Sequence, residues 1–118
     1  MTSFPYSERL DYLLGFAQTT PVDFITLWES AADAAGRNTA SAGEIRSVAL
    51  SLISDMIDRG VDVGDSIKDS PGFIPWETSK TETLARISQE MGKYEDPFDY
   101  VYICWFAAPL KSGCPVCP

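Results

Sequence analysis

The 118-residue chain contains no histidine. That absence excludes Ser-His-Asp and Cys-His catalysis, an imidazole acid or base, and any zinc site that carries a histidine ligand. Positive charge is also scarce, with 9 Lys+Arg against 17 Asp+Glu and a formal net charge of −8. Such a surface repels phosphate backbones, so direct binding of nucleic acid is not expected. No stretch approaches the roughly 18 apolar residues that a membrane-spanning helix needs. The opening MTSFPYSERLDYLLGF has no basic leader region, and its apolar stretch is broken by Ser7, Glu8, Arg9 and Asp11. It does not read as a signal peptide, and the expected location is cytoplasmic, away from membranes.

Cysteine is sparse and odd in number: Cys104, Cys114 and Cys117. Without export signals that count argues against a disulfide framework. Cys114-Pro-Val-Cys117 has the spacing of half a zinc knuckle or of a redox dithiol. A structural zinc site wants four ligands, and a redox pair belongs at a helix N-terminus rather than beside a proline-flanked chain end. No metal and no cofactor is therefore expected. Gly60, Gly64 and Gly72 lie too far apart for a phosphate-cradling loop, and no serine or threonine has a base beside it, so an enzyme is not expected.

What is present suits one folded domain. The chain is 45% hydrophobic and 12% aromatic, enough to bury a core at a length typical of single domains. We place the domain at residues 1–109 and a tail carrying the Cys-Pro-Val-Cys at 110–118. Helix signals are clear. An N-terminal helix is expected over Tyr6 to Phe16. Thr20-Pro21-Val22-Asp23 offers a hydroxyl at the N-cap, proline at the first helical position and a carboxylate in the first turn. The helix that follows runs through Ile25, Trp28 and Ala32 to Gly36. Ser41-x-x-Glu44 is a capping box. It opens a long helix whose Ile45, Val48, Ala49, Leu52, Ile53, Met56 and Ile57 form one apolar stripe ending at Gly60. Ser79-x-x-Glu82 is a second capping box, opening a helix with Leu84, Ile87 and Met91 inward and Gly92 as its terminator.

Between the capped helices, Val61, Val63 and Ile67 precede a turn-rich Asp69-Ser70-Pro71-Gly72, and Phe73, Ile74 and Trp76 follow. This predicts a hairpin of two antiparallel strands over about 61–76. The run Phe98 to Phe106 (FDYVYICWF) predicts a C-terminal strand buried on both faces and paired with that hairpin. The fold class expected is α+β, predominantly helical with about four helices, with a small antiparallel sheet. Helix, helix and hairpin follow one another in a winged-helix-like order.

The negative charge is concentrated. Residues 55–99 hold 11 acids against 5 bases. Asp55, Asp58, Asp62, Asp65 and Asp69 recur every three or four residues, and Glu95, Asp96 and Asp99 lead into the last strand. Paired carboxylates can hold a divalent metal or exchange protons, but nothing in this spacing specifies a converging pocket. The choice is between a solvated acidic face and a surface that captures a basic protein by mimicking nucleic acid. Trp28 and Trp105 are expected in the core. Trp76 either covers the start of the last helix or anchors an interface, because Trp and Tyr dominate binding hot spots. Tyr6 and Tyr94 are further anchor candidates.

The block Gly60 to Phe106, with GVDVGD, GFIPWETSKTETLARISQEM and DPFDYVYICWF, resembles small acidic immunity proteins of bacterial contact-dependent and other polymorphic toxin systems. The shared outline is a Gly-Asp turn, a Gly-Phe-x-x-Trp strand, a Leu-x-x-Ile helix and a closing aromatic strand. The resemblance covers under half of the chain. It implies a non-catalytic cytoplasmic protein that neutralises a cognate toxin domain, such as a basic nuclease, by occluding its active site. The charge concentration and the exposed-aromatic reading, rather than the resemblance, supply the candidate partner-binding residues: Asp55, Asp58, Asp62, Asp65, Asp69, Trp76, Glu95, Asp96 and Asp99. The alternative is a winged-helix-like adaptor or regulatory module that contacts other proteins.

Overall fold

The computed structural model describes residues 6–36, 39–66, 73–94, 96, 99–100 and 103–108. Four helices and four short strands follow in the order α1 (Tyr6–Thr19), β1 (Val22–Asp23), α2 (Phe24–Ala35), α3 (Ala42–Asp58), β2 (Asp62–Ser66), β3 (Phe73–Pro75), α4 (Lys80–Met91) and β4 (Trp105–Ala107). The strands form one antiparallel sheet in the order β1-β4-β2-β3. The class is α+β, as the sequence predicts, and the order α2, α3, β2–β3 is the anticipated helix–helix–hairpin. The described helices include none long and apolar enough to cross a membrane.

Local chemistry accounts for the element ends. Both capping boxes form. Ser41 Oγ accepts from the Glu44 amide at 3.1 Å while Glu44 Oε1 accepts from the Ser41 amide at 2.7 Å. Ser79 and Glu82 repeat the exchange at 3.1 and 3.0 Å. Gly36 and Gly60 close their helices with φ of +96°, a left-handed conformation that costs glycine no steric strain. Gly92 ends α4 without it, at φ −70°.

The start of α2 differs from expectation. Its cap is Asp23, whose Oδ1 accepts from the Thr26 amide at 2.7 Å. Thr20 and Pro21 lie before β1. The reason is tertiary: Val22 and Asp23 pair with Phe106 and Trp105, which keeps them extended and delays the helix by one turn.

One cross-strand row ties the sheet to the helices. Val22 and Val63 both sit opposite Phe106, and Val63 sits opposite Trp76, whose amide donates to the Val63 carbonyl at 2.8 Å. Directly opposed residues share a face. Val22, Phe106 and Val63 are buried, Trp76 half-buried, and this row packs into the same core as Leu13, Phe24, Leu27, Leu52, Ile53, Met56, Ile87 and Met91. The stripe of α3 divides as its periodicity requires, with Ala49, Leu52, Ile53 and Met56 fully buried and Ile45, Val48 and Ile57 packed at its margin.

The predicted strand over 98–106 is corrected. Among the described residues of that stretch strand geometry covers Trp105–Ala107, and Phe98, Val101 and Tyr102 lie outside the described residues. Before it, Asp99 donates its amide to the Asp96 carbonyl and Ile103 to the Tyr100 carbonyl, both at 2.9 Å. Those turn bonds divert backbone groups that a ladder would need. Tyr100, Ile103, Cys104 and Phe106 of the run are nevertheless buried in the core. Tyr100 is buried and takes edge contacts from Trp28 at 5.1 Å, Phe24 at 5.6 Å and Tyr94 at 6.5 Å between ring centroids. Trp28 is buried as expected, but Trp105 is only half-buried, because it alternates with Phe106 and points to the sheet's opposite face.

Both sheet edges are protected. β1 is two residues long. In β3 the bonded pairs are Val63–Trp76 and Asp65–Ile74, so Gly64–Pro75 is the intervening pair whose outer backbone groups face away from β2. Pro75 therefore sits where a free N–H would otherwise point to solvent, which blocks the addition of another strand.

Candidate functional site

The acidic residues singled out from the sequence divide into distinct structural groups. Asp55, on α3, is half-buried, and its Oδ2 accepts the phenolic proton of Tyr6. Burial and the adjacent carboxylate push the Tyr6 phenol well above its ordinary pKa, so it remains a donor at neutral pH. One turn later, Asp58 receives Lys80 Nζ on both oxygens, at 2.8 and 3.0 Å. Lys80 is the first residue of α4, where the helix dipole disfavours a cation. Asp58 offsets that cost and ties the end of α3 to the start of α4. These two acids are engaged within the fold.

Gly60 then turns the chain into β2, which carries Asp62 and Asp65. Neither makes an ion pair among the described residues. Asp62 is half-buried at a small cavity of about 70 Å³, which Ile57, Val63, Trp76, Lys80 and Thr83 also line. Thr83, buried within α4, is hydrogen-bonded to the Thr78 hydroxyl beside it. Asp65 is exposed and stands directly opposite Ile74 of β3. Asp96 and Asp99 are exposed and joined by their turn bond. Asp69 and Glu95 lie outside the described residues, as do Cys114, Cys117 and the tail.

Trp76 is half-buried at the core margin. Its inner side packs on the core, while the Arg86 guanidinium lies over its ring at 3.7 Å from the centroid. The indole Nε1 is buried and finds no acceptor among the described residues. Tyr94 packs against Tyr100 at the core margin.

Sequence reasoning missed four participants: Tyr6 as the partner of Asp55, Lys80 as the partner of Asp58, Arg86 on Trp76, and the exposure of Ile74. Lys80 had a signal, being a cation placed at a helix N-terminus beneath an acidic helix end. The others had none, because each depends on how separate elements meet.

Chemically, the arrangement offers charge and contact area. Among the described residues no group of three or more His, Cys, Asp or Glu is placed to hold a metal ion. Cys104 is buried, and desolvation, reinforced by Asp65, pushes its thiol well above the ordinary range, leaving it un-ionised and unreactive at neutral pH. Among the described residues, one shallow hollow lies beside Tyr6 and Asp55 along Ser47, Ser51 and Ser54, and another between α1 and α2 around Arg9, Tyr12, Glu29 and Asp33. No family model, no curated protein and no solved structure matches the chain.

Proposed function

We propose that this chain is a non-catalytic binding protein of the immunity type, which neutralises a cognate toxin domain, a basic nuclease, by laying an acidic surface across its active site. The observation that carries the reading is on β2. Asp62 and Asp65 have no cation of their own among the described residues, whereas Asp58 one turn earlier is neutralised by Lys80. Carboxylates without an internal partner are available to lysines and arginines of another protein. Such pairing accelerates encounter and sets specificity more than it sets affinity. The resemblance over Gly60 to Phe106 supports the same class.

The test uses the protein domain encoded immediately upstream of this chain's gene as the probe. Association is measured by stopped flow between low and physiological salt, with Asp62→Lys plus Asp65→Lys as the variant. The expected outcome is slower association with a weaker salt dependence and an unchanged melting temperature. Unaltered binding by that double variant removes the acidic-surface mechanism. The helix–helix–hairpin order favours a second reading, an adaptor of winged-helix shape that contacts proteins. Tight binding of nonspecific DNA in a low-salt gel shift would overturn both.

A further inference from the structure

Where a partner gains its grip is a separate question from where its charge is attracted, and one patch on the β2–β3 hairpin has the composition for it. Ile74 is 55% exposed, against 45% for Tyr12 on α1. The β3 register places Ile74 opposite Asp65 and, two residues from Trp76, on the same face as the indole. Arg86 lies over that indole and makes no ion pair among the described residues, unlike Lys80 and Lys93, whose charges meet Asp58 and Glu90. Stacking holds the guanidinium in place, so its stem and the indole form a pre-ordered apolar wall beside Ile74. Tryptophan, arginine and an aliphatic side chain flanked by charge is the make-up of a binding hot spot.

Pro75 decides the mode of contact. With no outward N–H at Pro75, the last residue of β3, pairing of a further strand lacks a donor there, which favours recognition through side chains.

We propose that Ile74, Trp76 and Arg86 form the anchor for a basic protein partner, which lays an aliphatic side chain on Ile74 against the Arg86–Trp76 stack and sets a neighbouring lysine or arginine on Asp65. This rests on the reading of the chain as a binder of a basic protein and deepens it. The charge complementarity is local: Asp65, opposite Ile74, attracts the cation, while Arg86, stacked on Trp76, repels one there.

The test is an amide and indole NMR titration of the full chain with three short peptides: alternating lysine–leucine, lysine–glycine, and glutamate–leucine. The lysine–leucine peptide is expected to shift the Asp65 and Ile74 amides and the Trp76 indole N–H as one group. Ile74→Ser or Arg86→Ala should weaken it by at least about fivefold, since anchor truncations cost more than 1 kcal/mol. Ile74 is exposed, so Ile74→Ser should keep the wild-type melting temperature, while Arg86→Ala, which uncovers one face of the Trp76 ring, should lower it slightly and leave the chain folded at the titration temperature. If the lysine–glycine peptide binds as well, with shifts spread over all acidic positions, the anchor is wrong and the acidic-surface reading stands. Preference for the glutamate–leucine peptide overturns the basic partner itself. Lysine–leucine binding that Ile74→Ser leaves intact, or binding of none of the three, overturns the anchor.

Discussion

Lys80 and Asp58 bind each other through both carboxylate oxygens, at 2.8 and 3.0 Å, across the gap between two helices 22 residues apart in sequence. The pair removes one charge from the acidic surface and supplies a counter-charge at a helix start. Both side chains are largely exposed, 39% for Lys80 and 55% for Asp58, so water and salt screen the attraction. A double-mutant cycle with Asp58→Ala and Lys80→Ala should give a coupling of about 0.2–1 kcal/mol, shrinking at high salt. Lys80→Ala alone should also leave Asp58 free, making partner association faster at low salt. A coupling of several kcal/mol would mean that the pair is far more sheltered than its exposure indicates.

The cap of α2 gives a second prediction. Asp23 Oδ1 holds the Thr26 amide, whereas the Thr20 side chain caps nothing in α2. Asp23→Ala should cost about 0.5–2 kcal/mol in denaturant unfolding, and Thr20→Ala less than about 0.5 kcal/mol. The reverse order would restore Thr20 as the cap.

That contrast shows where the sequence is informative. Ser41-x-x-Glu44 and Ser79-x-x-Glu82 were legible because a capping box is completed within four residues. The α3 stripe was legible because its period is its own. Gly36 and Gly60 were legible because their role is a single dihedral angle. The cap of α2 was not, since strand pairing of Val22–Asp23 with β4, more than 80 residues on, overrides a sound local signal. The start of β4 failed similarly: β-branched and aromatic residues report burial, and Tyr100 and Ile103 are buried, but turn bonds rather than a ladder hold them. At the candidate site the sequence singled out Asp62, Asp65 and Trp76 by residue type and spacing alone. It could not show that Asp55 and Asp58 are engaged internally, because Tyr6 and Lys80 arrive from other helices.

A third prediction concerns Gly64. A methyl group there would lie 2.2 Å from the Ile74 carbonyl oxygen and 2.7 Å from Pro75 Cα, both backbone atoms that cannot step aside without moving β3. Its pairing with Pro75 is the closer of the two antiparallel pair types, which explains the approach. Gly64→Ala should cost about 1–3 kcal/mol, and hydrogen exchange should quicken at the Trp76 amide before it does in α3. Gly15 has nothing within 4 Å of such a methyl and lies inside α1. Gly15→Ala should stabilise by about 0.5–1 kcal/mol, so the pair of substitutions separates steric conflict from a general glycine effect.

The last prediction is a loss of stability in alkali, and its direction follows from two raised groups. Burial holds the Cys104 thiol above its ordinary 9.0, and burial together with Asp55 holds the Tyr6 phenol above its ordinary 10.0. In both cases the folded chain keeps a proton that the unfolded chain releases. Below about pH 9 neither group makes stability depend on pH. As pH rises through 9.0 and then 10.0, the unfolded state loses protons first and is favoured. A fully sheltered group contributes up to about 1.4 kcal/mol per pH unit in that range. Cys104 should approach this figure, while half-exposed Tyr6 should fall short of it through solvent screening. Urea unfolding from pH 7 to 11 should therefore show a decline beginning near pH 9. Cys104→Ala should delay that onset towards pH 10, at a cost in packing that is constant with pH. Tyr6→Phe should flatten the limb above pH 10 while removing one hydrogen bond at every pH. Profiles for the two variants that run parallel to the wild type throughout would show that neither proton is held by the fold.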